Sequence, residues 1–461
     1  MKKLSPRRRL ERNWILYDVG NSAFTLLIST IMPIYFNYLA GEGGIDATTA
    51  TAYWGYAASI VTLCVAILGP TLGTLSDFSG YKRPIFFFFA IAGVLGCAAL
   101  GIPMPWLVFL VVFILTKIFY SASLVFYDSM LVDVTTHERA DDVSSKGYAW
   151  GYIGSCIPFI ISIVIVQFTP LNIAVSMPIA LAINALWWFG FTIPLMKSYR
   201  QTHFVPRTPH AVRDNFKRLF SVFSKKSDVQ NKKGIILFLV AFFLYIDGVY
   251  TIIDMATSFG TALGFDSTNL LLALLLTQVI AFPSAIVFGK LTGKVRNDVL
   301  ILVCIVAYTG IGLFAVFMTE VWQFWTLATA VGLFQGGVQA LSRSYFAKII
   351  PADQSGCLFG ILDIFGKGAA FLGTLLVSVV TQATDSVNLG AIPIVCLFAA
   401  GIAVFVVAAR VNRPYLAKQA ADDAAAAANA PLADPAAEDG AEGEAAAAED
   451  TPAADGDDAS D

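Results

Sequence analysis

Histidine is almost absent from this 461-residue chain: only His137, His203 and His210 occur, each in a polar stretch between apolar runs. No HExxH pair, GxSxG elbow, Asp-rich lipid-phosphate motif or GxxxxGK[ST] loop is present. Metal-assisted hydrolysis, serine acyl chemistry and nucleotide-driven pumping therefore lack the residues they need. The six cysteines (64, 97, 156, 304, 357 and 396) fall in or at the edges of apolar runs with no paired spacing. That indicates neither a disulfide framework nor a metal site and leaves them as small packing residues. Charge is scarce too, at 14% of residues against 57% hydrophobic, with a mean hydropathy of +0.70. A soluble domain cannot cover a core at that ratio, so the solvent of this chain is lipid. The expectation is a protein that is not an enzyme, holds no cofactor or metal and binds no nucleic acid.

What the sequence has instead is long apolar runs. Cut at the length that crosses a hydrocarbon layer of ~30 Å, about 20 residues, it yields runs at roughly 14–39, 50–74, 84–101, 105–132, 147–168, 172–196, 234–260, 268–290, 299–318, 321–346, 356–382 and 389–410. The fold class read from this is all-α integral membrane, with twelve transmembrane helices. Pro33, Pro70, Pro158, Pro283 and Pro393 predict bends, which membrane helices tolerate. With the amino terminus inside, the outer loops hold Glu42, Asp46, Asp266, Glu320 and Asp385 and none of the 30 Lys and Arg residues, which places both termini in the cytoplasm. "MKKLSPRRRLER" followed by an apolar run could pass for a secretory signal. The run is too long, contains Asp18 and lacks a small-residue cleavage site, so it reads as a retained helix.

Composition divides the chain into a basic amino terminus (1–13), a first six-helix half (14–196), a basic linker (197–233), a second six-helix half (234–412) and an acidic, Ala-rich tail (413–461) expected to be disordered. The linker carries ten Lys or Arg against Asp214 and Asp228, and "NFKRLFSVFSKK" within it could lie as a basic amphipathic helix on an anionic leaflet or serve only as a solvated connector. The halves echo each other. "LYDVG" (16–20) pairs with "LYIDG" (244–248), "GTLSD" (73–77) with "GKLTG" (289–293), and "GYAWG" (147–151) with "GCLFG" (356–360). Paired halves around a midplane site are the plan of secondary transporters.

"GTLSDFSGYKR" resembles the signature G-x-L-x-D-x-x-G-x-[KR]-[KR] of the major facilitator superfamily, through Gly73, Leu75, Asp77, Gly80, Lys82 and Arg83. Its glycines permit a tight turn and close helix approach, while Asp77 can accept hydrogen bonds from a neighbouring helix end. The counterpart in the second half has Gly293 in place of the Asp, so a latch there must be weaker or made differently. "LYDVGNSAFTLLISTIMPIYF", "FFLYIDGVYTI" and "GGVQALSRSYFAKIIP" resemble the vacuole-effluxer branch of that superfamily, from about residue 10 to 412. The resemblance implies the major facilitator fold and a transport role, with fungal vacuolar relatives implicated in amino-acid efflux.

Ionisable groups at membrane depth are costly unless they face a cavity or a partner, which makes each a candidate site residue. At ~1.5 Å per residue, Asp247 lies about 20 Å into the seventh run and Lys117 about 18 Å into the fourth, both near the midplane. In the superfamily, helices 1, 4, 7 and 10 line the central cavity, which would gather Asp18, Lys117, Asp247, Asp254, Gln335, Gln339 and Arg343. Lys117 could hold a carboxylate and Asp247 an ammonium, with Gln335 and Gln339 fixing orientation. Alternatively Lys117 and Asp247 simply pair with each other. Asp363 and Lys367 stand four apart, the spacing of a local ion pair that could open during a cycle. Asp18, with Asn21 and Ser22 beside it, could line the inner mouth, meet Arg343, or carry a coupling proton, a role for which Asp247 and Asp254 compete. Gly147, Gly151 and Gly154 before Pro158 predict a tight helix contact.

The sequence thus reads as a monomeric, multi-pass carrier of the cell membrane, or of the vacuolar membrane in a eukaryote. It moves a small polar metabolite, an amino acid above others, by alternating access, with lipid and a small-molecule substrate as partners and a proton as coupling ion. The rival reading is a transporter-like receptor or scaffold without turnover.

Overall fold

The computed structural model describes residues 5–206 and 230–429; the side chains of some helical residues, including those of 367–371, lie outside that description. Among the described residues the structure is helical apart from one isolated bridge, Phe78 to Val205. Among the described residues, twelve helices have 18 residues or more: α1 (Pro6–Glu42), α2 (Ala47–Ser76), α3 (Lys82–Ala99), α4 (Trp106–Ser129), α5 (Ala140–Phe168), α6 (Ile173–Ser198), α7 (Lys232–Ala262), α8 (Ser267–Leu291), α9 (Asn297–Val316), α10 (Val321–Ile349), α11 (Ser355–Thr384) and α12 (Ile392–Asn429). Ten of them are long and apolar enough to cross a membrane. Of the other two, α10 is diluted by Gln335, Gln339 and Arg343, and α11 offers within its described side chains only the shorter apolar piece Leu372–Thr384. Among the described residues, those up to Arg413 form one unit and those from Pro414 on belong to a second.

Local chemistry sets the helix starts and turns. Asp46 accepts from the Thr49 amide at 3.0 Å to open α2, and Asn172 accepts from the Val175 amide at 3.0 Å to open α6. α1 and α7 end alike. Gly44 and Gly264 take positive φ (77° and 83°), and the amides of Ile45 and Phe265 reach back to the carbonyls of Ala40 and Gly260, the closure of a glycine-terminated helix. A second correspondence lies deeper: Tyr17 on α1 bonds Ser123 on α4 at 2.8 Å, and Tyr245 on α7 bonds Ser342 on α10 at 2.7 Å.

Two boundaries differ from the sequence expectation. α1 starts at Pro6, with Ser5 as its cap, and absorbs the basic residues of the amino terminus. The last helix does not stop near 412 but continues to Asn429, because its alanines favour helix. The amphipathic segment expected within the linker lies outside the described residues.

Glycines decide how closely the helices approach. Gly147, Gly151 and Gly154 of α5 lie against Asp18, Ser22 and Val19 of α1, the tight contact expected. Between α2 and α11, Gly69 faces Gly360 and Gly73 faces Gly356 with backbone against backbone. Because the obstacle there is a carbonyl rather than a flexible side chain, Gly360→Val should cost about 1–3 kcal/mol of overpacking strain. The expected result is a lower Tm in detergent, whereas Gly190→Val, at a site with open space, should leave Tm unchanged.

Candidate functional site

Helices α1, α4, α5, α7, α8 and α10, with Trp54 of α2, surround a cavity of about 820 Å³. Asp18 and Arg343 lie at its base, and its wall continues past Ser29 and Pro33 on α1, Thr261 on α7 and Leu270 on α8, towards the ends remote from the amino terminus. Five tyrosines (120, 127, 148, 152 and 250) give the wall hydroxyls on aromatic faces.

Arg343 of α10 closes the base. Its Nε donates to Ser144 Oγ at 2.9 Å, one terminal nitrogen donates to Asp128 Oδ1 at 2.9 Å, and the other donates to the Ser144 carbonyl at 3.0 Å and stands 3.6 Å from Asp18 Oδ2. The guanidinium also lies over the rings of Trp14 (4.7 Å), Tyr127 (5.6 Å) and Tyr148 (4.3 Å), a face-on contact that a delocalised cation makes well. One side chain of the second half is thus held by α1, α4 and α5 of the first. The sequence suggested the Asp18–Arg343 meeting; it did not single out Asp128 or Ser144. Asp128 sits at the end of the fourth apolar run and would have been found by treating every ionisable residue in such a run as a candidate.

Higher in the cavity, Lys117 (α4) and Asp254 (α7) both line the wall, and the lysine charge acts on the carboxylate. Gln339 accepts from the Tyr152 hydroxyl at 2.7 Å, while Gln335 Oε1 is buried with no hydrogen-bond partner among the described residues. Asn21 lines the wall and donates to the Tyr17 carbonyl at 2.9 Å.

Asp247 departs from expectation. Depth along α7 suggested that it would face Lys117 in the cavity, but depth does not fix direction around the helix axis. Its carboxylate turns to α11, where the Gly373 amide donates to it at 2.8 Å, and it is not part of the cavity wall. Asp254, two turns further on, is the α7 carboxylate that lines the cavity and feels the Lys117 charge. Asp363 is half-buried and acts electrostatically on Asp128 and Tyr250. The side chain of Lys367 lies outside the described residues, and with it the expected Asp363–Lys367 pair.

Below the cavity the two sets of helices are latched twice. Asp77 accepts the amides of Gly356 (2.7 Å) and Cys357 (3.0 Å) at the start of α11, where the helix dipole favours a carboxylate. Gly80 takes φ 76° in the turn that follows, Arg83 donates to the Met196 carbonyl at 2.9 Å, and Lys82 reaches Ser355 Oγ at 2.8 Å and Asp133 at 3.5 Å. The second latch has no Asp at Gly293. Asp141 of α5 instead binds Lys348 at 2.5 Å and Asn297 at 2.6 Å, while Ser144 donates to the Ala340 carbonyl.

Asp133, also unmarked by the sequence reading, organises the end of the bundle below the cavity. It accepts from the Tyr199 hydroxyl at 2.6 Å, the Thr202 hydroxyl at 2.9 Å and the His203 amide at 2.8 Å, tying the chain after α6 to the Lys82 turn. Burial pushes its carboxyl up, but the Lys82 ammonium and the bonds from His203 and Tyr199 outweigh this and hold it well below the usual range.

The chain matches the profile of the family described as "Vacuole effluxer Atg22 like" over residues 43–137 and 132–414. It is 41% identical over 402 residues, 86% of this chain and 93% of the relative, to a Bacillus subtilis protein named as the MFS-type transporter YxiO. It is 28% identical over 267 residues to autophagy-related protein 22-1 of Aspergillus niger, a match spanning 52% of this chain and 42% of that protein. Among solved structures, it superposes on the human organic anion transporter MFSD10 (TM-score 0.67, 13% identity, 87% of this chain and 100% of that one). It also superposes on a bacterial homologue of the iron transporter ferroportin in an outward-facing state (TM-score 0.66, 14% identity, 88% and 100%).

Two outcomes test the latches. Asp77→Asn removes charge-assisted bonds worth ~1.5–3 kcal/mol, so labelling of the buried Cys357, followed by peptide mass spectrometry, should accelerate roughly 10- to 100-fold; an unchanged rate would mean that apolar packing alone holds the contact. Asp133→Asn should lower Tm at neutral pH. A depressed carboxyl contributes fully above its unfolded value, about 3.9, and loses that contribution as pH falls towards the folded one, so the deficit should shrink below about pH 4.

Proposed function

The chain belongs to the vacuole effluxer Atg22-like family, which makes it a major-facilitator-type secondary transporter and a multi-pass membrane protein rather than an enzyme, and on that premise we propose that it carries a small zwitterionic metabolite, an amino acid above others, by alternating access coupled to protons. In this reading all twelve long helices cross the membrane in two related halves, with both termini in the cytoplasm. The cavity is then open outward and the Arg343 clamp, with the two latches, is the closed inner gate. The observation that carries the reading is that Lys117 and Asp254 share the wall of one cavity, near enough for the lysine charge to act on the carboxylate, and that the base of that cavity is bridged across the halves.

Each wall residue has a chemical task. Lys117 holds the substrate carboxylate and Asp254 its ammonium, while Gln335 Oε1, without a partner among the described residues, accepts a further substrate proton donor. Uncompensated polar atoms in an open cavity favour a ligand that satisfies them over bulk apolar molecules. Turnover needs Arg343 to leave Asp18 and Asp128, so that the base opens while the outer ends close. The glycine contacts of α5 on α1 and of α11 on α2 let each half move as a packed body.

The test is counterflow into proteoliposomes loaded with a mixed unlabelled amino-acid pool, following entry of each labelled amino acid without an ion gradient. Accumulation of one or a few is expected, and silence from protein shown to be folded removes the amino-acid reading. Lys117→Gln and Asp254→Asn should each reduce the flux at least tenfold, on the scale of a lost charge-assisted bond of ~1.5–3 kcal/mol. A double variant that recovers flux would instead mark the two as a structural pair. Arg343→Lys, which keeps the charge but loses the fork, should raise Cys357 labelling without abolishing substrate protection of the cavity.

A further inference from the structure

On the flank of the first half, away from the cavity, a groove of about 470 Å³ runs between α1 and α6. Leu16 of α1 and Leu186, Trp187, Gly190, Phe191 and Pro194 of α6 line it, and no ionisable side chain enters its wall. Contacts beside it hold the two helices close and fix their register. A Cβ on Gly20 would meet Phe191 Cβ at 2.9 Å, and Asn13 donates to the Pro194 carbonyl at 3.3 Å and to Ser198 Oγ at 3.0 Å. The Trp187 indole N–H is engaged by the Val19 carbonyl at 3.1 Å, so the ring offers the groove only its apolar surface. Gly190 leaves the slot open, since a Cβ there would meet nothing within 4 Å.

Both walls of the groove lead to cations. On α1, Arg12 and Arg9 stand four and seven residues before Leu16, and on α6, Lys197 stands three residues after Pro194 and seven after Gly190. At those spacings side chains share one helix face. Arg200 follows just beyond α6, and all four are exposed at the end of the bundle from which α1 starts. The intervening carboxylate, Glu11, is buried and engaged by Thr135 and Arg139. From Ile183 to Pro194 the groove extends ~16 Å along α6, about the depth of one leaflet of a hydrocarbon layer ~30 Å thick. An apolar slot one leaflet deep that ends among cations matches the two parts of an anionic phospholipid. A second copy of the chain matches it less well, because a symmetric contact would set these cations against their own counterparts.

We propose that the α1–α6 groove binds an anionic phospholipid, with one acyl chain lying along Gly190 and the phosphate held by Arg12 and Lys197, and with Arg9 and Arg200 adding charge around it. The apolar wall fixes the chain, and the cations select the headgroup. The site rests on the chain being a multi-pass membrane protein and not on what the cavity carries. Its position gives it a consequence for the clamp. Gly20 and Asn13 join α1 to α6 on either side of Asp18, the α1 carboxylate that faces Arg343, so a lipid seated across α1 and α6 braces the helix that presents Asp18.

The test is native mass spectrometry of the full chain, delipidated in detergent and given equal amounts of phosphatidylglycerol and phosphatidylcholine with the same acyl chains, with no substrate present. Preferential retention of one phosphatidylglycerol is expected, by roughly 25-fold, about fivefold for each of Arg12 and Lys197. Arg12→Gln with Lys197→Gln should erase most of that preference. Lys290→Gln with Lys294→Gln, an equal loss of exposed charge at the far end of α8 and just after it, should leave it intact. Gly190→Val, which fills the slot, should lower phosphatidylglycerol retention roughly fivefold or more. Equal retention of the two lipids, or an equal fall in both double variants, overturns the site. Indifference to Gly190→Val, or full displacement of the lipid by glycerol 3-phosphate, overturns the groove as the seat of the acyl chain, and dimers that form as lipid is removed and vanish in Gly190→Val would assign it to a second copy instead. If the first double variant does not fold, Arg9→Gln with Arg200→Gln must lower the preference, and an unchanged preference overturns the site equally. Silent counterflow leaves the lipid result standing, whereas flux from protein with no lipid preference removes the site and spares the carrier.

Discussion

One guanidinium holds the closed end of this molecule. Arg343 reaches from α10 to α1, α4 and α5 and is bonded or stacked on every side, with two carboxylates, a serine and three aromatic rings around it. Such a cation is stable in a low-dielectric setting only while these partners surround it. Withdrawing it from any one of these partners leaves the others without their cation, so the clamp holds as a unit.

Around that clamp the closed end is redundantly fastened. The Asp77 turn and the Asp141 cluster solve one problem with different chemistry, the first through helix-end amides and the second through Lys348 and Asn297. The asymmetry has a local cause: Gly293 occupies the place of the missing Asp, so the second latch borrows its carboxylate from α5 instead. Asp133 adds a third layer by joining the chain that leaves α6 to the Lys82 turn. The likeness to MFSD10 and to the ferroportin homologue fixes the fold at 13–14% identity. The side-chain network just described belongs to this chain.

By itself, the sequence determined the membrane class, because 57% hydrophobic residues in long runs leave no other solvent. It also determined the motif turn, because Asp77 and Gly80 have few roles in such a context, and the tight α1–α5 contact, from Gly147, Gly151 and Gly154. It marked Lys117, Asp254, Gln335, Gln339 and Arg343, since polar residues inside apolar runs stand out. Tertiary structure alone decided which of these face one another. Asp247 and Asp254 are two turns apart on one helix, yet one opens to the cavity and the other turns into α11. That difference depends on helix rotation and on a glycine 126 residues away, which no depth count can supply. Asp128, Ser144, Asp133 and Asp141 escaped notice for the same reason: near a run end or a loop a polar residue is unremarkable, and only long-range packing gives it a partner.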